Sequence, residues 1–183
     1  MIKELEEFKK QLSFSFKEKN VIQSLDIPDD TFLPLIFSIK FGGDWSLKFN
    51  STKVMAIKEK ITTLDDKKNL IGYTLENMFL FYNPIILKEE GMIHRLEKCG
   101  NKKEREIVKR PFKVIIDSDY ALKATLNPMT KKIIIEKVKG PFEFTGSSAY
   151  GISHEMEHLL GDDIKGESIF DFNYEIKNEY NKK

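Results

Sequence analysis

The sequence has little cysteine and histidine and no long apolar run. Its 183 residues include one cysteine, Cys99, and three histidines. A single cysteine cannot form an internal disulfide, which fits a reducing compartment and leaves the thiol available for chemistry. No apolar stretch approaches the roughly 18 residues that span a bilayer, and the charged first ten residues do not resemble a signal peptide. We therefore expect a cytoplasmic protein without a membrane partner.

Neither sign of charge is in excess. Thirty lysines and arginines are matched by 29 aspartates and glutamates, which gives a net charge of +1. So balanced a chain has no bulk attraction for a polyanion, and we expect no direct nucleic-acid partner. Apolar residues make up 40% of the chain and charged residues 32%, as in globular proteins that fold in water. The length permits one domain with a sizeable core, so we expect residues 1–183 to form a single domain and a monomer.

Two of the three histidines lie in one short motif. His154-Glu155-Met156-Glu157-His158 has the pattern His-Glu-x-x-His, in a segment typical of a helix. A spacing of four puts His154 and His158 on one face of that helix, one turn apart, where two imidazoles can hold one metal ion. Glu155 lies beside them and can take a proton from water at the metal and pass it on. The motif therefore predicts a metal site.

The remaining helices and strands are expected to be grouped without regular alternation. Apolar residues spaced by three and four predict an amphipathic helix through Ile2, Leu5, Phe8 and Leu12. Strand-forming residues predict strands at residues 53–58, 78–82, 112–117, 121–126 and 132–139, and the polar residues 62–69 predict a loop. The last two strands flank a turn at Asn127-Pro128 and should form a hairpin.

The motif helix has a recognisable start and end. We expect the hydroxyl of Ser147 to cap its first turn and Gly161 to terminate it. Strands that follow one helix and precede another, without a β-α repeat, indicate an α+β fold.

Two histidines leave a zinc or iron ion without a third protein ligand. Metzincins use a histidine six positions after the second one, and this chain has Ile164 there. Gluzincins use a glutamate on a later helix, for which Glu175 and Glu179 are the candidates, although the tail that carries them is short and polar. Cys99 lies upstream in a polar, turn-like segment and offers a thiolate. A lone cysteine is more often a buried apolar residue than a ligand, but beside this motif we favour Cys99.

At these residues the chain resembles the peptide deformylases, which bind a metal through one cysteine and the two histidines of a His-Glu-x-x-His helix. Residues 153–161 are similar to the family's Gln-His-Glu-x-Asp-His-Leu-x-Gly helix, and residues 97–101 to its Glu-Gly-Cys-Leu-Ser motif. Residues 82–86 are similar to a strand ending in Asn-Pro, and residues 108–114 resemble the strand after the cysteine motif. The resemblance covers residues 78–164, about half of the chain.

This resemblance implies a fold of antiparallel or mixed β-sheets around a central His-Glu-x-x-His helix. It implies that Cys99, His154 and His158 bind one divalent metal ion and that Glu155 is the general acid and base. Thiolate and imidazole donors suit Zn(II), while the family implies Fe(II). The implied reaction removes the formyl group from the N-terminal formylmethionine of nascent peptides, so the implied partners are N-formylmethionyl peptides, including nascent chains at the ribosome.

The sequence departs from the family at two places. The family's Gly-x-Gly-Leu-Ala-Ala-x-Gln loop, whose glutamine amide helps hold the oxyanion, precedes the strand that corresponds to residues 54–57. Counting back from that strand, Gly42 falls on the second glycine and Leu47 on the glutamine, so the amide donor is missing. Lys98 and Gly100 replace the glycine and leucine of the cysteine motif, although the backbone N–H after the cysteine survives any side chain. Metal binding should be intact and substrate polarisation altered.

Two other functions stay open at this point. One is a His-Glu-x-x-His metallopeptidase whose third ligand is a carboxylate. The other is a catalytically impaired deformylase-like protein that keeps the metal and binds a peptide.

Overall fold

The computed structural model describes residues 12–28, 30–99, 103–161, 166–169 and 172–175. The chain divides into two compact units, Met1–Leu33 and Pro34–Lys183. The helices in the described ranges are α1 (Phe16–Ser24), α2 (Leu33–Phe41) and α3 (Ser147–Leu160). The strands are β1 (Trp45–Phe49), β2 (Thr52–Asp66), β3 (Ile71–Tyr82), β4 (Ile85–Glu90), β5 (Ile93–Glu97), β6 (Glu106–Arg110), β7 (Lys113–Asp117), β8 (Tyr120–Asn127), β9 (Lys132–Val138), β10 (Phe142–Thr145) and β11 (Glu167–Ser168). None of these helices is long and apolar enough to cross a bilayer.

In the unit Met1–Leu33, helix α1 begins at a capping box. Ser15 Oγ accepts a hydrogen bond from the backbone N–H of Glu18 at 3.3 Å, and Glu18 Oε2 accepts one from the N–H of Ser15 at 2.7 Å. These two bonds satisfy amides that the helix itself leaves free. The predicted helix over residues 2–8 lies outside the described residues, and Leu12, the last residue of that pattern, is not helical.

The prediction of an α+β fold is confirmed for the unit Pro34–Lys183. Its strands form three antiparallel sheets, with the orders β1-β2-β3-β8-β9, β10-β7-β4 and β11-β6-β5. Helix α3 contacts β1 and β2 of the first sheet, β7 and β10 of the second, and β6 of the third. The helix that carries the His-Glu-x-x-His motif therefore touches all three sheets.

The five-stranded sheet is built on two long strands that are buried on both faces near the motif helix. Residues 54–57 of β2 and 77–82 of β3 are all buried, as expected of apolar runs that are covered on both sides. The predicted strands at 53–58 and 78–82 are confirmed, but both extend further than expected.

The loop predicted at residues 62–69 is wrong for residues 62–66, because β2 continues to Asp66, and right for residues 67–69, which lie in the turn before β3 begins at Ile71. This end of the hairpin is largely exposed on both faces, so it lacks the alternation of apolar and polar residues that identifies a strand. Cross-strand pairs such as Thr62 Oγ1 and Thr74 Oγ1, 2.9 Å apart, hold it instead. The predicted hairpin of β8 and β9 is confirmed, and Asn127 Oδ1 closes its turn by accepting the N–H groups of residues 129 and 130.

One apolar cluster anchors α3 to the sheets. From Ala149 on, the buried residues of the helix are spaced by three or four, so they share one face, and Ile152 and Leu159 belong to it. Both pack with side chains of β2, β3, β7 and β10. The members are Met55, Ile57, Phe79, Phe81, Val114, Ile116, Ala121, Phe144, Ala149, Ile152 and Leu159. The opposite face of α3 is thereby fixed in position, and that face carries the two histidines.

The two ends of α3 differ from the prediction in one respect. Gly161 terminates the helix in the left-handed region, with φ of 81°, and its N–H donates to carbonyls of the last turn, as predicted. The predicted cap by Ser147 is wrong, because Ser147 is already helical and Gly146 is the N-cap, without a side-chain hydrogen bond. Ser148 instead donates from its hydroxyl to the carbonyl of Lys58 at 3.1 Å and ties the helix start to β2.

Truncation of Ile152 tests whether this cluster holds the helix in place. Ile152 is 0% exposed, so Ile152→Ala should lower the free energy of unfolding by roughly 2–5 kcal/mol through lost burial and a cavity. Urea denaturation measures the change. The matched control is Ile134→Ala on β9, where the side chain is 59% exposed and the change should stay within about 0.5 kcal/mol. Equal effects of the two substitutions would contradict this account of the core.

Candidate metal centre

Three predicted ligand atoms come together at one end of α3. His154 Nε2 and His158 Nε2 are 3.1 Å apart, and Cys99 Sγ lies 3.5 Å from His158 Nε2. One donor atom from each residue falls within 4.8 Å of the others. The two histidines meet because they are one helical turn apart, and Cys99 reaches them from the segment that follows β5. Sequence spacing thus accounts for two donors and the tertiary fold supplies the third.

The other candidates for the third ligand do not join this cluster in the described part of the chain. Glu175 is exposed and is absent from the three-donor group. Glu179 and Ile164 lie outside the described residues, as do Gly100 and Asn101 of the cysteine motif. Among the described residues, Cys99 is therefore the one that completes a three-donor set.

A carboxylate on β5 fixes the ring of His154. Glu97 Oε2 lies 3.1 Å from His154 Nδ1. Burial alone would raise the pKa of Glu97, but hydrogen bonds from His154 and Arg110 outweigh burial and hold that pKa at about 2. An ionised carboxylate can only accept, so the bond requires a proton on Nδ1 of His154. This tautomer leaves Nε2 without a proton and free to bind a metal, as in many carboxylate–histidine–metal sites.

The carboxylate of Glu97 is itself held by a buried arginine. Arg110, on β6, is 1% exposed. Its Nε and Nη2 donate to Glu97 Oε2 at 3.1 and 2.9 Å, and its Nη1 donates to Glu157 Oε1 on α3 at 2.7 Å. Arg110 thus links the β5–β6 pair to the motif helix through both ends of one guanidinium group.

These donors fit a divalent ion. Typical Zn–N and Zn–S bonds place the donors of a tetrahedral site about 3.3–3.7 Å apart. Two of the three donor separations, 3.1 and 3.5 Å, are close to this range, and all three are within 4.8 Å. Burial first, and then the neighbouring His154 and Arg110, lower the pKa of His158 against an opposing effect of Glu157. A lowered pKa favours the neutral imidazole, which is the form that binds metals. Sulfur with two imidazole nitrogens suits zinc or iron(II).

Glu155 lies beside the donors but is buried from solvent. Its side chain is 8% exposed. Burial raises the pKa of Glu155, while a hydrogen bond with Ser46 and the nearby His154 oppose the rise and Asp44 adds to it. The hydroxyl of Ser46 on β1 therefore holds this carboxylate, which lines the same cavity as His154.

The structure corrects the position expected for Leu47. On β1, Ser46 pairs with Met55 and Leu47 pairs with Val54. Met55 belongs to the apolar cluster around α3, so Ser46 lies on the face toward the helix and Leu47 points to the opposite face. Leu47 therefore does not take the glutamine's place beside the candidate donors, and the register inferred for the first half of the chain is wrong there. Ser46 is the polar side chain that β1 directs to Glu155.

A short loop before β1 brings a second carboxylate to the site. Gly42 and Gly43 have φ of 72° and 80°, which only glycine adopts readily, and the loop is tied by hydrogen bonds from Ser38 to the carbonyl of Gly43 and from Trp45 to that of Gly42. Asp44 follows. Burial raises its pKa, against a hydrogen bond from the backbone N–H of Lys58 at 2.8 Å.

Asp44 packs directly against α3 at Gly151. A Cβ added at residue 151 would collide with Asp44 Oδ2. Glycine in a helix interior lowers helix stability by roughly 1 kcal/mol relative to alanine. At position 151 the lack of a side chain leaves room for the carboxylate of Asp44. Neither the spacing of apolar residues on α3 nor the pair of glycines before Asp44 predicts this contact.

Replacing Cys99 tests whether it is a ligand. Cys99→Ala removes the sulfur that completes the three-donor group, so most of the bound metal should be lost. Metal content after anaerobic purification measures this loss. The matched control is His94→Ala, because His94 is the remaining histidine and is exposed on β5, so that variant should keep its metal. Full metal content in the Cys99 variant would rule out the thiolate as a ligand.

Comparison with known proteins does not identify a family for this chain. No family model matches the sequence, and no curated protein matches it either. What the chain does is therefore inferred from its own residues: the Cys99, His154 and His158 donors, the buried Glu155, and the contacts that hold them.

Proposed function

We propose that the protein is a metal-dependent hydrolase of the peptide-deformylase kind, which releases formate from an N-terminal formyl group. The observation that carries the proposal is the convergence of Cys99 Sγ with the Nε2 atoms of His154 and His158 within 4.8 Å, next to the buried carboxylate of Glu155. This donor set is the one that the sequence resemblance implies.

The proposed fold is deformylase-like and arranged around α3. Two observations support it: α3 contacts strands of all three sheets, and the cysteine lies two residues after the strand whose carboxylate holds the first motif histidine. The protein would then act on formylated peptides as they leave the ribosome, which places it in the cytoplasm, with N-formylmethionyl peptides as the first substrates to assay.

Cys99, His154 and His158 would hold one divalent ion, Fe(II) or Zn(II). When bound, such an ion supplies Lewis acidity, which lowers the pKa of a water molecule and polarises the formyl oxygen. Glu97 keeps the proton of His154 on Nδ1, so that Nε2 stays directed at the ion. Arg110 keeps Glu97 ionised and in place.

Glu155 would carry the protons of the reaction. Its carboxylate removes a proton from the attacking water as the new C–O bond forms at the formyl carbon. It then delivers that proton to the peptide nitrogen as the C–N bond breaks, which leaves formate and a free amine. Burial raises the pKa of Glu155, which makes its carboxylate a stronger base for the first step, the removal of a proton from the water.

Ser46 would take part in holding the formyl oxygen. Ser46 and Lys48 are the polar side chains that β1 directs to the face toward α3, and the hydroxyl of Ser46 forms a hydrogen bond with Glu155. One oxyanion-stabilising donor is worth about 10² to 10³ in kcat. A serine hydroxyl has one hydrogen to donate, so Ser46 can donate to the formyl oxygen only when it does not donate to Glu155, which supports slow rather than fast turnover.

The alternative of a metallopeptidase with a carboxylate third ligand has less support. The three-donor group in the described residues contains a thiolate and no carboxylate. Metallopeptidase and deformylase activity are separated by mass analysis of formyl-Met-Ala-Ser and of an internal peptide bond. Metal bound without turnover of either would favour the impaired, peptide-binding protein.

Glu155 tests the proposed reaction directly. Glu155→Gln keeps the size and hydrogen-bonding reach of the side chain but cannot accept a proton at neutral pH. We expect kcat for formate release to fall by about 10² or more while the metal content stays near that of the parent. The matched control is Glu143→Gln on β10, an exposed glutamate whose side chain is 55% accessible, which should leave kcat unchanged. Formate release at the parent rate by the Glu155→Gln variant would exclude Glu155 as the base.

A further inference from the structure

The five-stranded sheet ends in an exposed edge strand. Strand β9 pairs with β8 on one side, and in the part of the chain that the structure describes no strand pairs with its other side. Most of its side chains are exposed. The outward backbone N–H and C=O groups of β9 can therefore pair with a further strand.

Three consecutive isoleucines form the middle of this edge. Ile133 is 52% exposed and Ile134 is 59% exposed, and Ile135 is half-buried. Because neighbouring residues of a strand point to opposite faces, β9 exposes apolar surface on both faces of the sheet. Strand β9 contains no proline, and its pairing with β8 has no bulge, so two common devices that keep an edge strand from pairing are missing here.

The charges on the two sides of the isoleucine run are opposite in sign. Lys132 lies two residues before Ile134 and Glu136 lies two residues after it, so these three side chains share one face. Consider a second copy of β9 that pairs antiparallel about a twofold axis at Ile134. Lys132 then lies opposite Glu136 of the second copy, and the reverse pair forms on the other side of the axis. Ile134 faces its own counterpart, and Ile133 faces Ile135.

The charge pattern favours this register over its neighbours. A shift of the axis by one residue in either direction puts a charged side chain opposite an isoleucine; with the axis at Ile135, for example, Ile134 faces Glu136. Apolar pairs and opposite-charge pairs across strands stabilise a sheet. The register centred on Ile134 has both kinds of pair and no mixed one within residues 132–136.

The surroundings of Glu136 and the end of the strand agree with this pairing. Glu136 Oε1 lies 3.8 Å from Lys123 Nζ, but the side chain is 55% exposed, so the carboxylate can accept from a second lysine. Beyond Glu136, Lys137 would face Lys131. Lys131 has left the strand, with φ of 54°, so the paired segment ends before these two like charges meet.

We infer that the protein forms a symmetric dimer in which two copies of β9 pair antiparallel about Ile134. The pairing joins two five-stranded sheets into one continuous sheet and replaces the monomer that the length of the chain predicts. The inference goes beyond the proposed function and does not depend on it, because α3 contacts β1 and β2 at the other end of the sheet. One strand pair is smaller than the interface of about 1,600 Å² typical of stable complexes. We therefore expect a reversible dimer with a Kd on the order of 10 µM.

Sedimentation equilibrium of the full chain tests the dimer, at concentrations from about 1 to 200 µM that bracket this Kd. Ile134→Lys removes the central apolar pair and sets two like charges against each other at the axis, so the Kd should rise at least about a hundredfold. The matched control is Ile71→Lys. Ile71 is 60% exposed on the outer part of the β2–β3 hairpin, and this substitution should leave the Kd unchanged.

Two charge substitutions test the register. Lys132→Glu sets carboxylates against each other across the axis and Glu136→Lys sets ammonium groups against each other, so at low salt each should raise the Kd about tenfold. The two substitutions together exchange the charges and should return the Kd to within about threefold of the parent. Urea denaturation at about 1 µM, where the monomer predominates, should be the same for all variants and so show that each one folds.

Each contrary result overturns the inference. These results are a parent protein that stays monomeric up to about 200 µM, a dimer that survives Ile134→Lys, a dimer that Ile71→Lys weakens as strongly, and a combined charge exchange that does not restore association. Formate release is measured separately. Its absence from a protein that dimerises through β9 would overturn the proposed reaction and leave the dimer in place.

Discussion

The site depends on one buried guanidinium. Arg110 lies almost without solvent contact and donates to Glu97 on β5 and to Glu157 on α3. A buried cation is costly unless it is paired and hydrogen-bonded. Arg110 can therefore be buried only when β5, β6 and α3 are packed together, because its two carboxylate partners lie on β5 and on α3. The third candidate ligand, Cys99, follows β5. The donor cluster can therefore exist only when this sheet and this helix are joined, and Arg110 is the group that joins them.

The candidate metal site combines residues that the sequence reveals to different degrees. Two imidazoles one turn apart are a local property of a helix, and the spacing of His154 and His158 predicts their meeting without any tertiary information. Cys99 has no local reason to approach them, and its role could be favoured only by elimination and by resemblance. Arg110 points to the same buried face of β6 as Val108, two residues earlier. A charged side chain on a buried face indicates that it is paired with an opposite charge. Its partners on two other elements could not be read from spacing.

The first half of the chain shows where such reasoning fails. Counting residues along a loop assigns Leu47 to the position beside the candidate donors, and a difference of one residue along β1 reverses the face to which a side chain points. The pairing of Ser46 with Met55, which is a tertiary fact, settles the face. The outer part of the β2–β3 hairpin is not predicted, for a related reason: beyond the core neither face is buried, so no pattern of burial is imposed on its sequence. Strands with a buried face, such as β7 and β8, were located closely.

The glycine in the middle of α3 limits how this protein and any relatives can vary. Alanine would be favoured there by helix propensity alone, but the space for its methyl group is filled by the carboxylate of Asp44. A side chain at position 151 requires a smaller residue at position 44 or a displaced loop, so the two positions, more than a hundred residues apart in the chain, are coupled through one contact. In an alignment of related chains, residues 44 and 151 should therefore covary, which would be a record of this contact in evolution.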